Sequence, residues 1–364
     1  MFAPGAFKIR PEYAIARAAD GAVVVVFIDD LVKEWKWDAK SGRSAIDQPR
    51  LFVWATRSED GGRTWSPPQK IQDGYCGAVR DMIRTRDGNL VVPLQIFLTE
   101  HQRHATTPMV STDHGKTWQA AGVLDIGRGR GHHDGSIEAS VVERRDGSVW
   151  MLLRTCDDVF YQSVSTDGGR SWSAMTPTAI DASSSPGIVK RLASGRLVLV
   201  WNRLHPVGRP DYPRRGGQHS TREASWHREE LSLAFSDDDG TSWSEPVVVA
   251  TVPQGKRVAY PFIVEPQPGN LWLTTMQGPL RAELREADFV GAAAQSKPAP
   301  PRRVGAPGAN EAVVIRLPDG EMRVYYVRRP EGTEIRSSGS RDNGRTWGDD
   351  RLGFAVPGSA YYGV

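Results

Sequence analysis

The chain has 364 residues, 39 % of them apolar and 24 % charged, with a formal net charge of +3. Such content can build a sizeable core, and the even spread of charge leaves no basic tract for nucleic acid and no membrane-surface helix, so neither is an expected partner. The two cysteines, Cys76 and Cys156, lack metal-ligand spacing, and a disulfide between them is not expected.

From the start, FAPGAFKIRPEY carries no apolar h-region and no transmembrane span, compatible with a cytoplasmic protein or one already trimmed of a signal peptide. The first predicted element is a hairpin turning at AADG around Gly21, and five more follow: TRDG at Gly88, RRDG at Gly147, LASG at Gly195, QPG at Gly269 and LPDG at Gly320. Each has an apolar run on both sides of a turn with Gly in its second half, the pattern of antiparallel strands such as EASVVERRDGSVWMLLR.

Behind each hairpin comes an octet of pattern S-x-D-x-G-x-[ST]-W. The copies are SEDGGRTW from Ser58, STDHGKTW from Ser111, STDGGRSW from Ser165, SDDDGTSW from Ser236 and SRDNGRTW from Ser340. Asp folds back onto nearby amides, Gly takes a positive φ, and Trp leaves the turn as an apolar plug. The last gap is two periods long, and ADFVG near residue 288 reads as a worn copy, so six units are counted. Units of about 50 residues rich in short strands predict an all-β, six-bladed β-propeller filling residues 1–364 as a single domain. A solenoid is the rival for such a period, and even turn spacing favours the ring. Closure is expected from residues 1–9 or from the segment after Trp347, adding a strand to the last blade.

In a propeller the same offset from the turn glycine lies at the same height. Nine residues before it come Glu12, Val79, Glu138, Pro186, Tyr260 and Glu311; seven or eight after it come Asp29, Gln95, Arg154, Arg203, Gln277 and Arg328. Arg10 shares the strand face of Glu12. Strand starts lie beside the ends of their hairpin partners, so these residues crowd one rim of the channel. Any single one reads equally well as a solvated strand end, but the set is a candidate site.

Two loops add to this rim. His132 and His133 precede Asp134 in GRGHHDGS, and the long fourth unit inserts Asn202 to Trp226. The histidines read as surface residues, as bases, or with Asp134 as metal ligands, although adjacent residues rarely face one ion, and no metal is expected. The insertion reads as a substrate-covering loop or as a basic surface loop. No phosphate loop, dinucleotide fingerprint or CxxC occurs, so no cofactor is expected.

With these motifs the whole chain resembles the sialidase (neuraminidase) superfamily, in particular its bacterial members with Asp-box, or BNR, repeats. KIRPEYAIARAADG is similar to the family's opening strand, with Arg10 as a first clamp arginine. GSIEASVVERRDGSVWMLLRT resembles its glutamate-to-arginine stretch, with Glu138 and Arg154. REELSLAFSDDDGTSW resembles the segment of the third arginine, Arg228, and VAYPFIVEPQPGNLWL the tyrosine strand, with Tyr260. The resemblance implies an exo-glycosidase removing a terminal acidic sugar, such as sialic acid, from a glycan. Tyr260 and Glu138 would be the nucleophile pair, Asp47 or Asp38 the acid, and Arg10, Arg154 and Arg228 the carboxylate clamp; the rim positions and loops add Arg203, Glu311 and His133 as further candidate substrate contacts. The unit bearing Glu311 falls between that of Tyr260 and that of Arg10 and Asp47. Two other classes stay open. One is a polysaccharide lyase acting on a uronate with a histidine or Tyr260 as base, and the other a non-catalytic glycan-binding propeller whose arginines are balanced internally by glutamates.

Overall fold

Each octet closes on its own aspartate. In the first copy Asp60 Oδ1 accepts from Ser58 Oγ, Arg63 N and Thr64 N, each at 2.8 Å, Oδ2 accepts from Thr64 Oγ1 at 2.7 Å, and Gly62 N donates to Ser58 Oγ at 2.7 Å. The same contacts recur around Asp113 and Asp167. Asp238 and Asp342 repeat the serine and threonine or serine contacts. A carboxylate that satisfies this many local donors lets the chain reverse without a ladder partner.

In this computed structural model, which describes residues 7–217, 219–278, 280–290, 309–317, 319–328, 334–342 and 346–355, the five octets join third to fourth strands in five of six sheets. Blade 1 is Ile9–Arg17, Val23–Asp29, Val53–Ser58 and Gln69–Gln72. Blade 2 has Cys76–Val79 and Ile83–Arg84 on one side of Leu90–Leu98, then Arg103–Ser111 and Gln119–Ala120. Blade 3 is Ile137–Glu143, Val149–Arg154, Val159–Ser165 and Thr176–Asp181; blade 4 is Ile188–Arg191, Leu197–Trp201, Glu230–Ser236 and Val247–Thr251. Blade 5 shows Ala259–Gln267, Asn270–Gln277 and Arg281–Arg285, and its worn octet is a 3-10 turn at Glu286–Asp288. Blade 6 is Ala309–Arg316, Met322–Arg328, Glu334–Ser340 and Gly348–Ala355. All strand pairs within the blades are antiparallel, and the six hairpin glycines have φ between 78° and 91°.

The first strand of every blade lies innermost, and these strands touch in ring order, the first of blade 6 meeting that of blade 1. The segment after Trp347 forms the outer strand of blade 6 itself. The ring is sealed by packing: Ile15, Val25 and Phe27 of blade 1 share a core with Ile315, Tyr325 and Ile335 of blade 6. Arg17 donates to the Arg316 carbonyl at 3.0 Å and Arg351 to that of Gly61 at 3.2 Å across the same seam.

The octet glycines make four of the six seams tight. A Cβ on Gly62 would stand 2.7 Å from Tyr325 Oη, on Gly115 2.8 Å from Val24, on Gly169 2.5 Å from Val91 and on Gly240 3.1 Å from Trp150. Each of those neighbours lies on the second strand of the preceding blade. The motif therefore joins blades as well as turning the chain.

Candidate active site

Starts of inner strands, ends of second strands and the loops leading into third strands share one rim, because neighbouring strands run in opposite directions. Glu138 and Tyr260 occupy the same offset in blades 3 and 5, flanking blade 4. Both sit in the left-handed region, with φ of 49° and 59°. Such a conformation costs a non-glycine residue about 1 to 2 kcal/mol and breaks strand alternation. In blade 3 the ladder shifts between Ile137 and Ser140, around Glu138.

The two side chains meet. Tyr260 Oη donates to Glu138 Oε1 at 2.8 Å. Arg154, at the end of the second strand of blade 3, pairs with Glu138 Oε2, lies 3.3 Å from Tyr260 Oη, and donates to Ser184 Oγ at 3.1 and 3.2 Å. Arg228 donates to Gln277 Oε1 at 2.7 Å and to the Ser184 carbonyl at 3.1 Å, and its guanidinium stands 5.1 Å from the Tyr260 ring centre. Arg80 covers Tyr260 and Phe262 at 4.9 and 4.8 Å and donates to the Pro261 carbonyl at 3.2 Å. Buried Arg228 Nε and Arg80 Nη1 have no hydrogen-bond partner, and neither arginine has an ion-pair partner among the described residues.

The charges set the protonation states. Burial pushes the Glu138 carboxyl up, but Arg154, Arg80 and Arg228 outweigh it and hold the group below the usual carboxylate range. Burial, then the Glu138 charge, raises the Tyr260 phenol, so at neutral pH an ionised glutamate faces a protonated tyrosine. Arg154 is raised because the Glu138 charge and other neighbours outweigh burial, whereas burial pushes Arg228, which lacks such a partner, down to about 10.

An aromatic wall runs away from this cluster. Trp226 faces Arg154 and Arg228 at 5.3 and 5.5 Å, His133 stands edge-on to Trp226, and His132, His104, Tyr75 and Trp35 continue the line. Burial pushes His104 down to about 4 and His132 to about 2, so both imidazoles are neutral. Asp134 is fully buried and accepts from Arg130 N, Ser220 Oγ, Thr221 N and Thr221 Oγ1. It anchors the insertion of blade 4 and is used up there. Among the described residues no group of three or more His, Cys, Asp or Glu is placed to hold a metal ion.

Of the residues singled out in the sequence, Glu138, Arg154, Arg228 and Tyr260 come together, with His133 on the wall beside them. Arg10 pairs with Glu12 at 3.1 Å, and its charge is felt by Tyr75, Cys76 and His132. It belongs to the far end of the aromatic line, as blade 6 between blades 5 and 1 requires. Arg203 reaches away to Asp181 at 3.3 Å, one third exposed. Asp47 is exposed on the loop before Val53–Ser58, and Asp38 is half-buried on the short ribbon Trp37–Asp38. Glu311 is on the inner strand of blade 6, and its side chain is outside the described residues. Cys76 and Cys156 are both buried and unpaired with each other.

Arg80 and Ser184 escaped the sequence reading. Arg80 is one residue past the offset that selected Val79, in the one-residue slip of the ladder between Val79, opposite Leu94, and Ile83, opposite Val91. The charge in an apolar context, AVRDMI, was its only signal.

Residues 13–273 match the BNR repeat-like domain family. The chain is 24 % identical to rat (Rattus norvegicus) Sialidase-2 over 218 residues, 53 % of each protein, so it spans about half the length of that curated relative. The fold is similar to a Dyadobacter fermentans protein of unknown function (TM-score 0.56, 16 % identity, 92 % of this chain and 94 % of that one). It is also similar to the GH93 α-L-arabinofuranosidase of Fusarium graminearum, solved with arabinobiose (TM-score 0.58, 11 % identity, 94 % and 96 % covered).

Proposed function

The chain belongs to the BNR repeat-like domain family, and on that premise we propose that it is a glycoside hydrolase of exo-sialidase type, cleaving a terminal acidic sugar from a glycan. The observation that carries this reading is the Tyr260–Glu138 hydrogen bond flanked by two buried arginines, Arg228 and Arg80, without a carboxylate of their own. A buried cation without a counter-charge costs several kcal/mol, and a substrate carboxylate supplies the missing partner through a bidentate contact.

In this reaction Glu138 takes the phenolic proton of Tyr260 while its oxygen attacks the anomeric carbon. The bond to the leaving sugar breaks, and that oxygen receives a proton from an acid; the sequence candidate, Asp47, lies on the exposed loop before Val53–Ser58, outside the Tyr260 cluster. Water then cleaves the tyrosyl sugar, its proton passing to the conjugate base of that acid, and Glu138 returns its proton to the departing phenolate. A neutral tyrosine suits a sugar with a carboxylate at the anomeric carbon, since a carboxylate nucleophile would be repelled. Arg154 is committed to Glu138, so it orients the base, and Arg228 is left as the principal anion holder.

Tyr260→Phe should lower kcat by at least about a hundredfold while leaving substrate binding within a few-fold, because it removes an interaction made only in the transition state. Release of free sugar by this variant at the wild-type rate overturns the assignment. Elimination at a uronate with His104 or His132 as base is disfavoured, because imidazoles so weakly basic are poor acceptors of a carbon-bound proton. A rise in near-ultraviolet absorbance on acidic glycans would reinstate the lyase. A purely structural balance of charge fits Arg154 and does not fit Arg228 or Arg80.

A further inference from the structure

The central channel has a second mouth, at the end of the inner strands opposite Tyr260. A cavity of about 550 Å³ opens there, floored by Ile15, Met82, Ile263 and Ile315 and rimmed by Arg17, Arg84, Lys190, Arg191, Arg316 and a single carboxylate, Glu265. The cations come from blades 1, 2, 4 and 6, so the ring geometry assembles them and no local sequence motif does.

The pairing of these groups is uneven. Lys190 is neutralised by Asp81 and Arg191 by Asp239. Glu265 spends its two oxygens on the backbone N–H groups of Ala193 and Gly269, at 2.6 and 2.7 Å. Arg17 and Arg84 have no ion-pair partner among the described residues; Arg17 donates to the Arg316 carbonyl, and Arg84 reaches the Ala18 carbonyl at 3.4 Å. Those contacts draw the Arg17 and Arg84 side chains to one place, the end of the first strand, while the Arg316 guanidinium donates to the Gly320 and Pro266 carbonyls at 2.9 and 3.2 Å. Arg17 Nε is buried there without an acceptor.

A narrower void of about 60 Å³ continues inward, sharing Ile15, Met82, Lys190 and Ile263 with the mouth and ending on Arg80. Arg80 is 6 % exposed, and its Nη1 has no partner. Like charges gathered around a concave space with unused donors repel one another until an anion enters.

We propose that this second mouth is a binding site for a multivalent oxyanion, a small molecule bearing phosphate or sulfate groups. Arg17 and Arg84 hold the oxyanion and the apolar floor takes the body of the ligand. The site opens at the opposite mouth from the Tyr260 cluster, with Arg80 standing between the two, and does not depend on the reaction assigned to that cluster.

Isothermal titration with inorganic pyrophosphate, and with inorganic sulfate as the less charged probe, tests this on the whole chain. The expected result is one pyrophosphate per chain, bound more tightly than sulfate and weakened by added salt. Arg84→Glu should weaken it at least about tenfold, since a reversed charge faces the anion. Arg84 is exposed, so the fold should tolerate the change, and Arg17→Gln gives the same readout should it not. Arg228→Gln should leave pyrophosphate affinity unchanged. Absence of pyrophosphate binding at millimolar concentration, affinity insensitive to both Arg84→Glu and Arg17→Gln, or loss of binding in Arg228→Gln alone each overturns the proposal.

Discussion

At Glu138, burial and pairing pull the carboxyl in opposite directions, and pairing wins. Its folded pKa is therefore depressed, and the sign of the pH dependence follows. The stabilisation from the ionised group is fully present above the ordinary carboxylate value, near pH 4.3, and is lost as pH falls through the lower folded value. Thermal midpoints measured from about pH 6 to pH 3 should thus fall more steeply for the wild type than for Glu138→Gln, which has no proton to gain there. Parallel curves would show that the Arg154 contact contributes nothing. The left-handed backbone at Glu138 and Tyr260 is a cost at the same two residues, and it aims both side chains at each other across blade 4.

Among elements, the octet does two jobs that substitutions can separate. Gly169 has φ 94° and a hypothetical Cβ 2.5 Å from Val91; Gly122 has φ 95° and nothing within 4 Å. Both pay for a side chain in a left-handed conformation, about 1 kcal/mol each. Only Gly169 also drives a methyl group into the neighbouring blade, which adds about 1 to 3 kcal/mol of overpacking. Urea unfolding of Gly169→Ala and Gly122→Ala should therefore show a clear excess loss for the first. Equal losses would mean that the blades yield at this seam and that the octet is only a turn.

For the whole molecule the informative seam is the one between blades 6 and 1, where the chain's two ends of the ring meet without sharing a sheet among the described residues. Tyr325 is 1 % exposed within the shared core and lies against Gly62 of the first octet. Tyr325→Ala should cost about 3 to 5 kcal/mol, as other large-to-small changes at buried aromatic positions do, and lower the urea midpoint accordingly. A loss under about 1 kcal/mol would indicate that the ring does not rely on this packing.

The sequence by itself determined the blades, because what makes them is local. An aspartate that satisfies amides within four residues, and a glycine that takes positive φ, act within their own turn, so the octets and the six hairpin turns were readable residue by residue. The same regularity placed Glu138 and Tyr260 at one height, although their left-handed kinks carry no sequence signature. Only the tertiary structure decided which rim residues meet. Arg80 entered the cluster through a one-residue slip in its ladder, Arg203 turned outward to Asp181, and Arg10 paired with Glu12 at the far end of the aromatic wall. Neither could the pattern show that Arg17 and Arg84 converge. These outcomes depend on bulges, on the blade lying between two others, and on contacts between residues hundreds of positions apart, none of which a local pattern encodes.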